Sequence, residues 1–349
     1  MGKKVYLLGA GAAFLYGAPS TNDITNSLAE LTPLNNVVHR RLKEYIGPED
    51  YNFETLLSAL EYIITDTEQR GKKSCHYSPF PALSCLKYCF KRGNAKQAYL
   101  DSINHIIERI VPYTSTRDVA KDDLILRHFT QAEENHIYSL NYDRIIPEIF
   151  QKNRVAFEDG TINGRAFVQP IKSFISSANT FFNLHGSVYL YQNPLSLYDV
   201  FQSDEPAYLT ALTPLNGGNP RERCYFTPII SGYSKTQHIM STPFSFGVAS
   251  LSTDLQECDE LEVIGYSFSD NHINGLLTSF FDFWNNKMTV VDYFSKEQFQ
   301  NRVEGLQDIL SSFYKTRPDS YALQDGMLIY KLQHLNVFSE GVSSYLERS

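Results

Sequence analysis

The stretch Lys4-Val5-Tyr6-Leu7-Leu8-Gly9-Ala10-Gly11 joins a short apolar run directly to a glycine-rich turn. The run is typical of a buried strand, and the two glycines allow backbone N–H groups to approach a phosphate at a helix N-terminus. The pattern predicts the first strand of a Rossmann-like sheet, with a nucleotide site at Gly9, Ala10 and Gly11. The alternative is that the glycines only pack a helix against the sheet, without a ligand.

Residue spacing predicts how the rest of the chain is arranged around that strand. Helices are predicted where apolar residues recur every three or four residues, at 27–46, 53–67, 81–111, 122–134, 242–255, 271–283 and 296–314. Strands are predicted at short apolar runs, at 136–140, 180–184, 225–230, 260–264 and 288–291. This alternation indicates an α/β fold, a Rossmann-like mostly parallel sheet with helices on both faces and a helical insertion after the first strand.

The same pattern divides the chain into three parts. We expect 1–25 and 135–320 to form the Rossmann-like domain and 26–134 to form the helical insertion. The remaining segment, 321–349, is a candidate for contact with another copy of the chain or with a partner. The proline- and glycine-rich stretch 194–223 has neither helical nor strand periodicity, which predicts a surface excursion.

Composition excludes several classes of protein. The formal net charge is −8 and no long lysine or arginine block occurs, which argues against direct binding of nucleic acid. The apolar runs are too short to cross a membrane, and the beginning of the sequence does not resemble a signal peptide, so we expect a cytoplasmic protein without a membrane contact.

Five cysteines occur without a Cys-x-x-Cys pair, at positions 75, 85, 89, 224 and 258. This spacing predicts neither a disulfide framework nor a zinc site. We therefore expect no structural metal. The spacing of four residues between Cys85 and Cys89 would permit two metal ligands on one helix, and ordinary packing is the alternative that we favour.

Polar residues with chemical capacity follow two of the predicted strands. Asn141 and Asp143 come after the strand at 136–140, and His185 comes after the strand at 180–184, beside Gly186. In open α/β sheets ligands bind beyond the carboxyl ends of the strands. The alternatives are structural: Asp143 as a helix cap, Asn141 as a turn residue and His185 as a buried, hydrogen-bonded histidine.

Two further strand ends carry groups that suit a nucleotide. The turn Gly265-Tyr266-Ser267 follows a buried run and is of the kind that donates N–H and hydroxyl groups to a phosphate. Asp292 follows the run at 288–291, and a carboxylate there is able to accept hydrogen bonds from both hydroxyls of a ribose.

Taken in order, these motifs resemble the sirtuin-like NAD-binding proteins, and within them a bacterial branch of antiphage NADases. The resemblance extends from Lys3 to about residue 294. It rests on Gly-Ala-Gly at 9–11, Phe-Glu at 53–54, Asn-Tyr-Asp at 141–143, Leu-His-Gly at 184–186, Pro-Ile-Ile to Lys at 228–235 and Ile-Gly-Tyr-Ser-Phe-Ser-Asp at 264–270.

The resemblance implies a role for each matching residue. Asn141 and Asp143 would line the nicotinamide and its ribose, and His185 would be the catalytic histidine. Gly265 and Ser267 would contact phosphate. Asp292 would hold the adenosine ribose.

Two departures from the sirtuin pattern limit what the resemblance implies. The Phe-Arg pair that orients nicotinamide in classical sirtuins is missing, and Thr21, Asn22 or Asp23 would replace it. The four-cysteine zinc ribbon of the deacetylases is also missing, which places the acyl-lysine substrate in doubt.

Together these observations predict an NAD⁺ glycohydrolase that uses NAD as its substrate and gives nicotinamide and ADP-ribose. Asn141 and His185 are the predicted catalytic residues. The alternatives are a protein deacylase or ADP-ribosyltransferase, and a non-catalytic sensor of NAD or ADP-ribose. The resemblance further implies NAD depletion in antiphage defence, as in abortive infection, by a homo-oligomer or with a HerA-type ATPase partner.

Overall fold

The computed structural model describes residues 2–47, 51–69, 92–115, 118–162, 165–166, 178–192, 200–212, 226–232, 235–241, 243–293, 321–324, 327–330 and 334–349. These residues form one sheet of eight strands and a second sheet of four. None of the described helices is both long and apolar enough to cross a membrane.

Helices and strands follow one another along the chain in an α/β order. The helices are α1 (Thr21–Leu31), α2 (Pro33–Ile46), α3 (Phe53–Gln69), α4 (Arg92–Ser115), α5 (Val119–His128), α6 (Ile145–Lys152), α7 (Lys235–Ile239), α8 (Phe244–Glu257), α9 (Asn271–Phe280) and α10 (Val342–Arg348). The strands are β1 (Lys3–Leu8), β2 (Glu134–Ser139), β3 (Thr161–Ile162), β4 (Arg165–Ala166), β5 (Asn179–Asn183), β6 (Leu190–Gln192), β7 (Val200–Gln202), β8 (Glu260–Ile264), β9 (Lys287–Val291), β10 (Tyr321–Gln324), β11 (Met327–Tyr330) and β12 (Leu335–Phe338). A 3-10 helix, Ala10–Tyr16, connects β1 to α1.

The large sheet has the strand order β10-β11-β12-β9-β8-β1-β2-β5. Its strands from β12 to β5 run parallel, whereas β11 is antiparallel to both of its neighbours. Every described element between β1 and β2 is helical. The predicted fold class, a Rossmann-like mostly parallel sheet with a helical insertion after the first strand, is therefore confirmed.

The central strand β1 is apolar at successive positions because both faces of the sheet are covered. Tyr6 and Leu8 belong to the core formed with α1 to α6 and α10. Val5 and Leu7 belong to the core formed with α8 and α9 on the other face. Parallel strands buried on both faces are apolar throughout rather than alternating.

The predicted helix at 27–46 is wrong in its bounds, because two helices, α1 and α2, occupy this region. The break falls at Thr32, which is extended, with φ −137° and ψ 156°. Pro33 disfavours the helical conformation of the residue before it. The Thr32 hydroxyl then accepts a hydrogen bond from Asn35 N at 3.0 Å and caps α2.

The predicted helix at 122–134 ends early, at His128, and β2 already begins at Glu134. The Asn135 side chain explains part of this difference, since it bonds both backbone groups of Ala132, at 3.3 and 3.0 Å. Such side-chain bonds give the backbone an alternative to the helix.

The predicted strand at 225–230 is not formed by its described residues. Ile229 makes only an isolated bridge to Gly186. Pro228 lacks an N–H group and interrupts a ladder at this point. In the expected surface excursion, β7 pairs with β6 and β4 in the small sheet. The predictions for 81–91 and 296–314 lie outside the described residues.

The sheet extends beyond β9 through residues of the C-terminal segment. Strand β12 pairs in parallel with β9, and α10 packs on the core face with Leu346 fully buried. The three-part division of the chain, with its boundary at 321, stays a prediction. Phe338 and Leu346 of this segment nevertheless belong to the same core as Tyr6 and Leu8 of β1.

Candidate functional site

Strand register brings the predicted site residues to one edge of the large sheet. The last residues of the parallel strands are in register, in the order Phe338, Val291, Ile264, Leu8, Ser139 and Asn183. The residues that follow these ends therefore meet at the carboxyl edge. The loops that begin at Gly9, Leu140, Leu184, Gly265 and Asp292 are five of them.

The glycine turns after β1 and β8 touch each other at the point where the strand order reverses. Gly9 N donates to Ile264 O at 2.9 Å, and Gly11 N donates to Gly265 O at 2.9 Å. A Cβ on Gly265, whose φ is +63°, would lie 2.3 Å from Ala12 N. Backbone-to-backbone packing thus requires these glycines even without a ligand. This switch point is also where open α/β sheets bind ligands.

A cleft of about 830 Å³ lies above this edge, between the strand ends and the helical insertion. Most of the predicted site residues line it, namely Gly9, Ala10, Gly11, Thr21, Asn22, Asn141, His185, Gly265, Tyr266, Ser267 and Asp292. Residues 52–54, Ile110, Tyr113 and 340–343 also line it. The volume lies within the range of small-molecule sites.

Asp23 and Asp143 do not line this cleft. The Asp23 carboxylate accepts hydrogen bonds from the backbone N and hydroxyl of Ser20 at 3.0 and 2.7 Å, and so forms a capping box at the start of α1. Asp143 is buried and accepts from Tyr113 Oη at 3.2 Å and Ile145 N at 3.2 Å. Burial raises the pKa of the Asp143 carboxyl to about 6.

Asn141 is fixed by contacts with both neighbouring loops. Its amide Nδ2 donates to Gly9 O at 2.9 Å, and its backbone N donates to Ser139 Oγ at 3.1 Å. Asn183, the last residue of β5, donates to the carbonyls of Asn141 and Asp143 at 2.8 and 3.0 Å. Asn183 was not predicted as a site residue, although it positions two that were.

His185 is nearly buried, and its backbone conformation depends on the residue that follows. Gly186 has φ +82°, and a Cβ there would lie 2.3 Å from Pro228 O, so only glycine fits. His185 O accepts from Ile230 N at 2.6 Å, which fixes the loop. The ring Nε2 lies 3.3 Å from Asp270 Oδ2. Burial, and then the Lys235 charge, lower the pKa of His185 to about 3, so the imidazole is neutral near pH 7.

Three charged residues that received no site role from the sequence gather beside His185. Lys235 Nζ lies 2.6 Å from Asp270 Oδ2 and 3.0 Å from Glu54 Oε2. Burial alone would lower the pKa of Lys235, but the two carboxylates outweigh it and raise the pKa. All three residues lie in motifs that carried the resemblance, and that was the available signal.

Carboxylates outnumber cations among the described residues that line the cleft. These charged residues are Glu54, Asp270, Asp292 and Glu340 on one side of the balance and Lys235 on the other. The Asp292 carboxylate accepts from Tyr293 N at 2.8 Å, and the hydroxyls of Ser267 and Ser269 lie 3.0 Å apart. An anionic ligand group is therefore better held here by hydroxyl and N–H groups than by side-chain cations.

Metal ligands do not cluster in the part of the chain that the structure describes, where no three histidine, cysteine, aspartate or glutamate side chains form a candidate site. Cys258 is a buried free thiol. The other four cysteines lie outside the described residues, so the expected absence of a structural metal stays a prediction.

Comparison with known proteins gives a likeness among solved structures but none among family models or curated proteins. No protein-family model matches the chain, and no curated protein matches it. Among solved structures, the chain is similar to a mutant of a Sir2 homologue in complex with ADP-ribose. The two chains are 9% identical, the match covers 90% of this chain and 93% of that chain, and the TM-score is 0.36.

Proposed function

We propose that this protein hydrolyses NAD⁺ to nicotinamide and ADP-ribose. The observation that carries the proposal is that Asn141 and His185 follow the ends of adjacent strands, β2 and β5, and line one large cleft at the switch point of the sheet. A catalytic amide and a neutral imidazole on one side of a nucleotide-sized cleft suit the breaking of a glycosidic bond.

The cleft offers a distinct position for each part of the dinucleotide. The turn at 265–267, which packs against the glycine turn after β1 and carries the Ser267 hydroxyl, suits the pyrophosphate. Asp292 suits the hydroxyls of the adenosine ribose. The nicotinamide end then lies toward Asn141 and His185, with Thr21 and Asn22 on the neighbouring wall. The excess of carboxylates suits the positive charge of nicotinamide before it leaves.

Hydrolysis needs a water molecule, a leaving group and a place for one proton. The C1′–N bond breaks with its electron pair passing to nicotinamide, whose ring becomes neutral. Water forms the new C1′–O bond and gives up a proton. Asn141 can orient the water or a ribose hydroxyl by hydrogen bonds, while fixed dipoles stabilise the oxocarbenium-like state.

His185 suits the role of proton acceptor. Because its pKa is lowered to about 3, the imidazole is neutral and able to accept a proton throughout the physiological range. A base with so low a pKa is weak in the resting site. The Asp270 carboxylate, 3.3 Å from Nε2, would stabilise the imidazolium as the proton arrives.

Incubation of the purified full chain with NAD⁺, followed by chromatography of the products, tests the proposal. We expect free nicotinamide and ADP-ribose in equal amounts without any acceptor protein. Nicotinamide release only in the presence of an acylated or acceptor peptide would instead support deacylation or ADP-ribosyl transfer. Tight NAD⁺ or ADP-ribose binding without nicotinamide release would support the sensor.

The role in antiphage defence is part of the same proposal, and the motif resemblance supports it. NAD depletion of an infected cell requires an activity that is silent until triggered. We therefore propose control by homo-oligomer assembly or by a HerA-type ATPase partner. Light scattering that shows a fully active monomer, unaffected by co-expressed neighbours, would contradict this control.

A further inference from the structure

The charged cluster beside the cleft is assembled from four separate elements. His185 follows β5, Lys235 begins α7, Asp270 caps α9 and Glu54 lies in the first turn of α3. The lysine lies between the two carboxylates, and the histidine touches only the Asp270 end of the cluster. Such a convergence in the wall of a cleft points to a function beyond stability.

The two oxygens of Asp270 have different partners. Oδ1 accepts hydrogen bonds from His272 N at 2.9 Å and Ile273 N at 3.3 Å, which caps α9. Oδ2 lies 2.6 Å from Lys235 Nζ and 3.3 Å from His185 Nε2. The cap and the lysine hold the carboxylate in place independently of the histidine. Asp270 is therefore a rigid reference against which the imidazole orients.

The two nitrogens of the His185 ring lie in different surroundings. Nε2 is enclosed, with the Asp270 carboxylate beside it. Nδ1 makes no hydrogen bond to any residue that the structure describes, and His185 lines the cleft. A carboxylate favours an N–H group on the nitrogen next to it, which leaves the lone pair on the other nitrogen.

We propose that Asp270, held by Lys235, is a positioning residue that fixes His185 as the tautomer protonated on Nε2 and so makes Nδ1 the basic nitrogen of the cleft. The proposal deepens the hydrolase function and rests on it for the task of that nitrogen. Lys235 has a second role, because its positive charge balances the negative charge of Asp270 and so keeps the imidazole neutral.

The balance of charges around His185 gives the proposal its pH signature. Burial lowers the pKa of His185, Lys235 and His272 lower it further, and Asp270 raises it. Glu54 acts at a distance through its ion pair with Lys235. Removal of the lysine charge leaves Asp270 opposed only by burial and His272, so the pKa of His185 rises.

NMR of the full chain labelled with ¹⁵N-histidine tests this arrangement directly, with the His185 signals identified by their loss in His185→Ala. In the wild type we expect the Nε2-protonated tautomer and no titration between pH 5 and pH 8. In Lys235→Met we expect the pKa of His185 to rise, so that its titration begins to enter this pH range. The more conservative Lys235→Gln gives a second measurement if the methionine variant folds poorly.

The variant Asp270→Asn removes the carboxylate charge but keeps the helix cap, because asparagine caps helices as well as aspartate does. An amide next to Nε2 can donate as well as accept, so we expect a mixture of His185 tautomers. Lys3→Met is the matched control: Lys3 contacts Asp254 at 3.2 Å, and Asp254 contacts His136, away from the cleft. It should leave the His185 signals unchanged.

Steady-state kinetics of nicotinamide release tests the effect of the positioning on activity. Asp270→Asn should lower kcat about ten- to a hundredfold, the scale expected when a group that orients a functional histidine is lost, with little change in KM. Lys235→Met should move the acidic limb of the kcat/KM profile to higher pH. A purely structural role would not move this limb.

The NMR and kinetic experiments distinguish failure of the positioning proposal from failure of the hydrolase function. A wild-type His185 that titrates near pH 6.5, or that is protonated on Nδ1, would overturn the positioning proposal even if nicotinamide is released. The expected NMR result without any nicotinamide release would leave the positioning of His185 supported and would overturn the hydrolase function.

Discussion

Among the described residues, three clusters combine a histidine, a carboxylate and a lysine, and one of them joins His128, Glu262 and Lys4. The other two hold the histidine differently. Under the sheet, His136 Nδ1 lies 2.5 Å from Asp254 Oδ2 in a hydrogen bond, and Lys3 Nζ lies 3.2 Å from Oδ1. At the cleft, the corresponding distance from His185 Nε2 to Asp270 Oδ2 is 3.3 Å.

The difference lies in what else each carboxylate does. Asp254 also accepts from Tyr138 Oη, so that its bonds join α8 to strands β1 and β2. Burial alone would raise the pKa of Asp254, but the hydrogen bond from His136 and the other partners outweigh it and lower the pKa. Asp270 accepts its hydrogen bonds from the backbone N–H groups at the start of α9, and the neighbouring His185 is neutral. The same residue types thus connect core elements in one place and, in our proposal, orient a base in the other.

The largest expected effect concerns the buried cluster of Asp254, His136 and Lys3. Asp254→Leu leaves His136 and Lys3 without their buried partner, and we expect a loss of about 3–5 kcal/mol in the free energy of unfolding, measured in urea. The matched control is Glu257→Leu, which removes the other partner of Lys3, at 2.7 Å and 55% exposed. An exposed ion pair contributes less than about 1 kcal/mol. Equal losses in the two variants would contradict the role of Asp254.

The second prediction compares the replacement of each of the two histidines by alanine. His185→Ala should lower the rate of nicotinamide release about a hundredfold or more, as expected for a lost proton acceptor, while the protein still unfolds cooperatively. His136→Ala should lower the stability and leave the rate per folded molecule unchanged. The comparison fails if His136→Ala, folded by circular dichroism, is the less active of the two.

The third prediction concerns a buried carboxyl that belongs to neither cluster. No lysine, arginine or histidine in the described ranges lies within ion-pair distance of Asp143, and burial raises its folded pKa to about 6, above the value of about 3.9 in unfolded chains. The folded state therefore binds this proton more tightly, and stability falls as the pH rises from about 4 to 6.

Asp143→Asn removes this dependence. We expect it to stabilise the protein by about 2 kcal/mol at pH 8 and to have little effect at pH 4, measured by urea unfolding at both values. Asp254 has the opposite sign, because its lowered pKa makes its contribution disappear as the pH falls. A stabilisation by Asp143→Asn that is the same at both pH values would rule out titration as its cause.

The smallest effect concerns the far end of the cleft. In the proposed binding mode Asp292 would repel a phosphate on the adenosine ribose. Asp292→Asn should therefore narrow the preference for NAD over NADP by about threefold, a difference below 1 kcal/mol. Ratios of kcat/KM for the two dinucleotides measure it. Asp282→Asn, an exposed aspartate outside the cleft lining, is the control and should leave the ratio unchanged.

The fold was predictable where the sequence carries a strong periodic signal. The apolar runs that became β1, β2, β5, β8 and β9 were found because parallel strands are buried on both faces. Helix α2 was merged with α1 because the period continues across Thr32, and only Pro33 marked the break. The strand predicted at 225–230 was wrong because the run is as apolar as a strand, although Pro228 interrupts the ladder of hydrogen bonds that a strand needs.

The lining of the candidate site was predictable where a polar residue follows a strand, as at Asn141, His185 and Asp292. It was less predictable where partners come from distant elements. Glu54, Lys235 and Asp270 meet only because α3, α7 and α9 converge, and no local spacing records this. Asp143 was expected at the ligand, and its neighbour Tyr113, from the helical insertion, instead bonds it inside the core.

A crystal structure of the His185→Ala variant with NAD⁺ tests the central claim most directly, because the variant should bind the dinucleotide without cleaving it. The account predicts NAD⁺ in the cleft, with the nicotinamide ribose beside Asn141 and position 185, the pyrophosphate on 265–267 and the adenosine ribose at Asp292. NAD⁺ bound elsewhere on the chain, or bound with its nicotinamide ribose remote from Asn141, would contradict it.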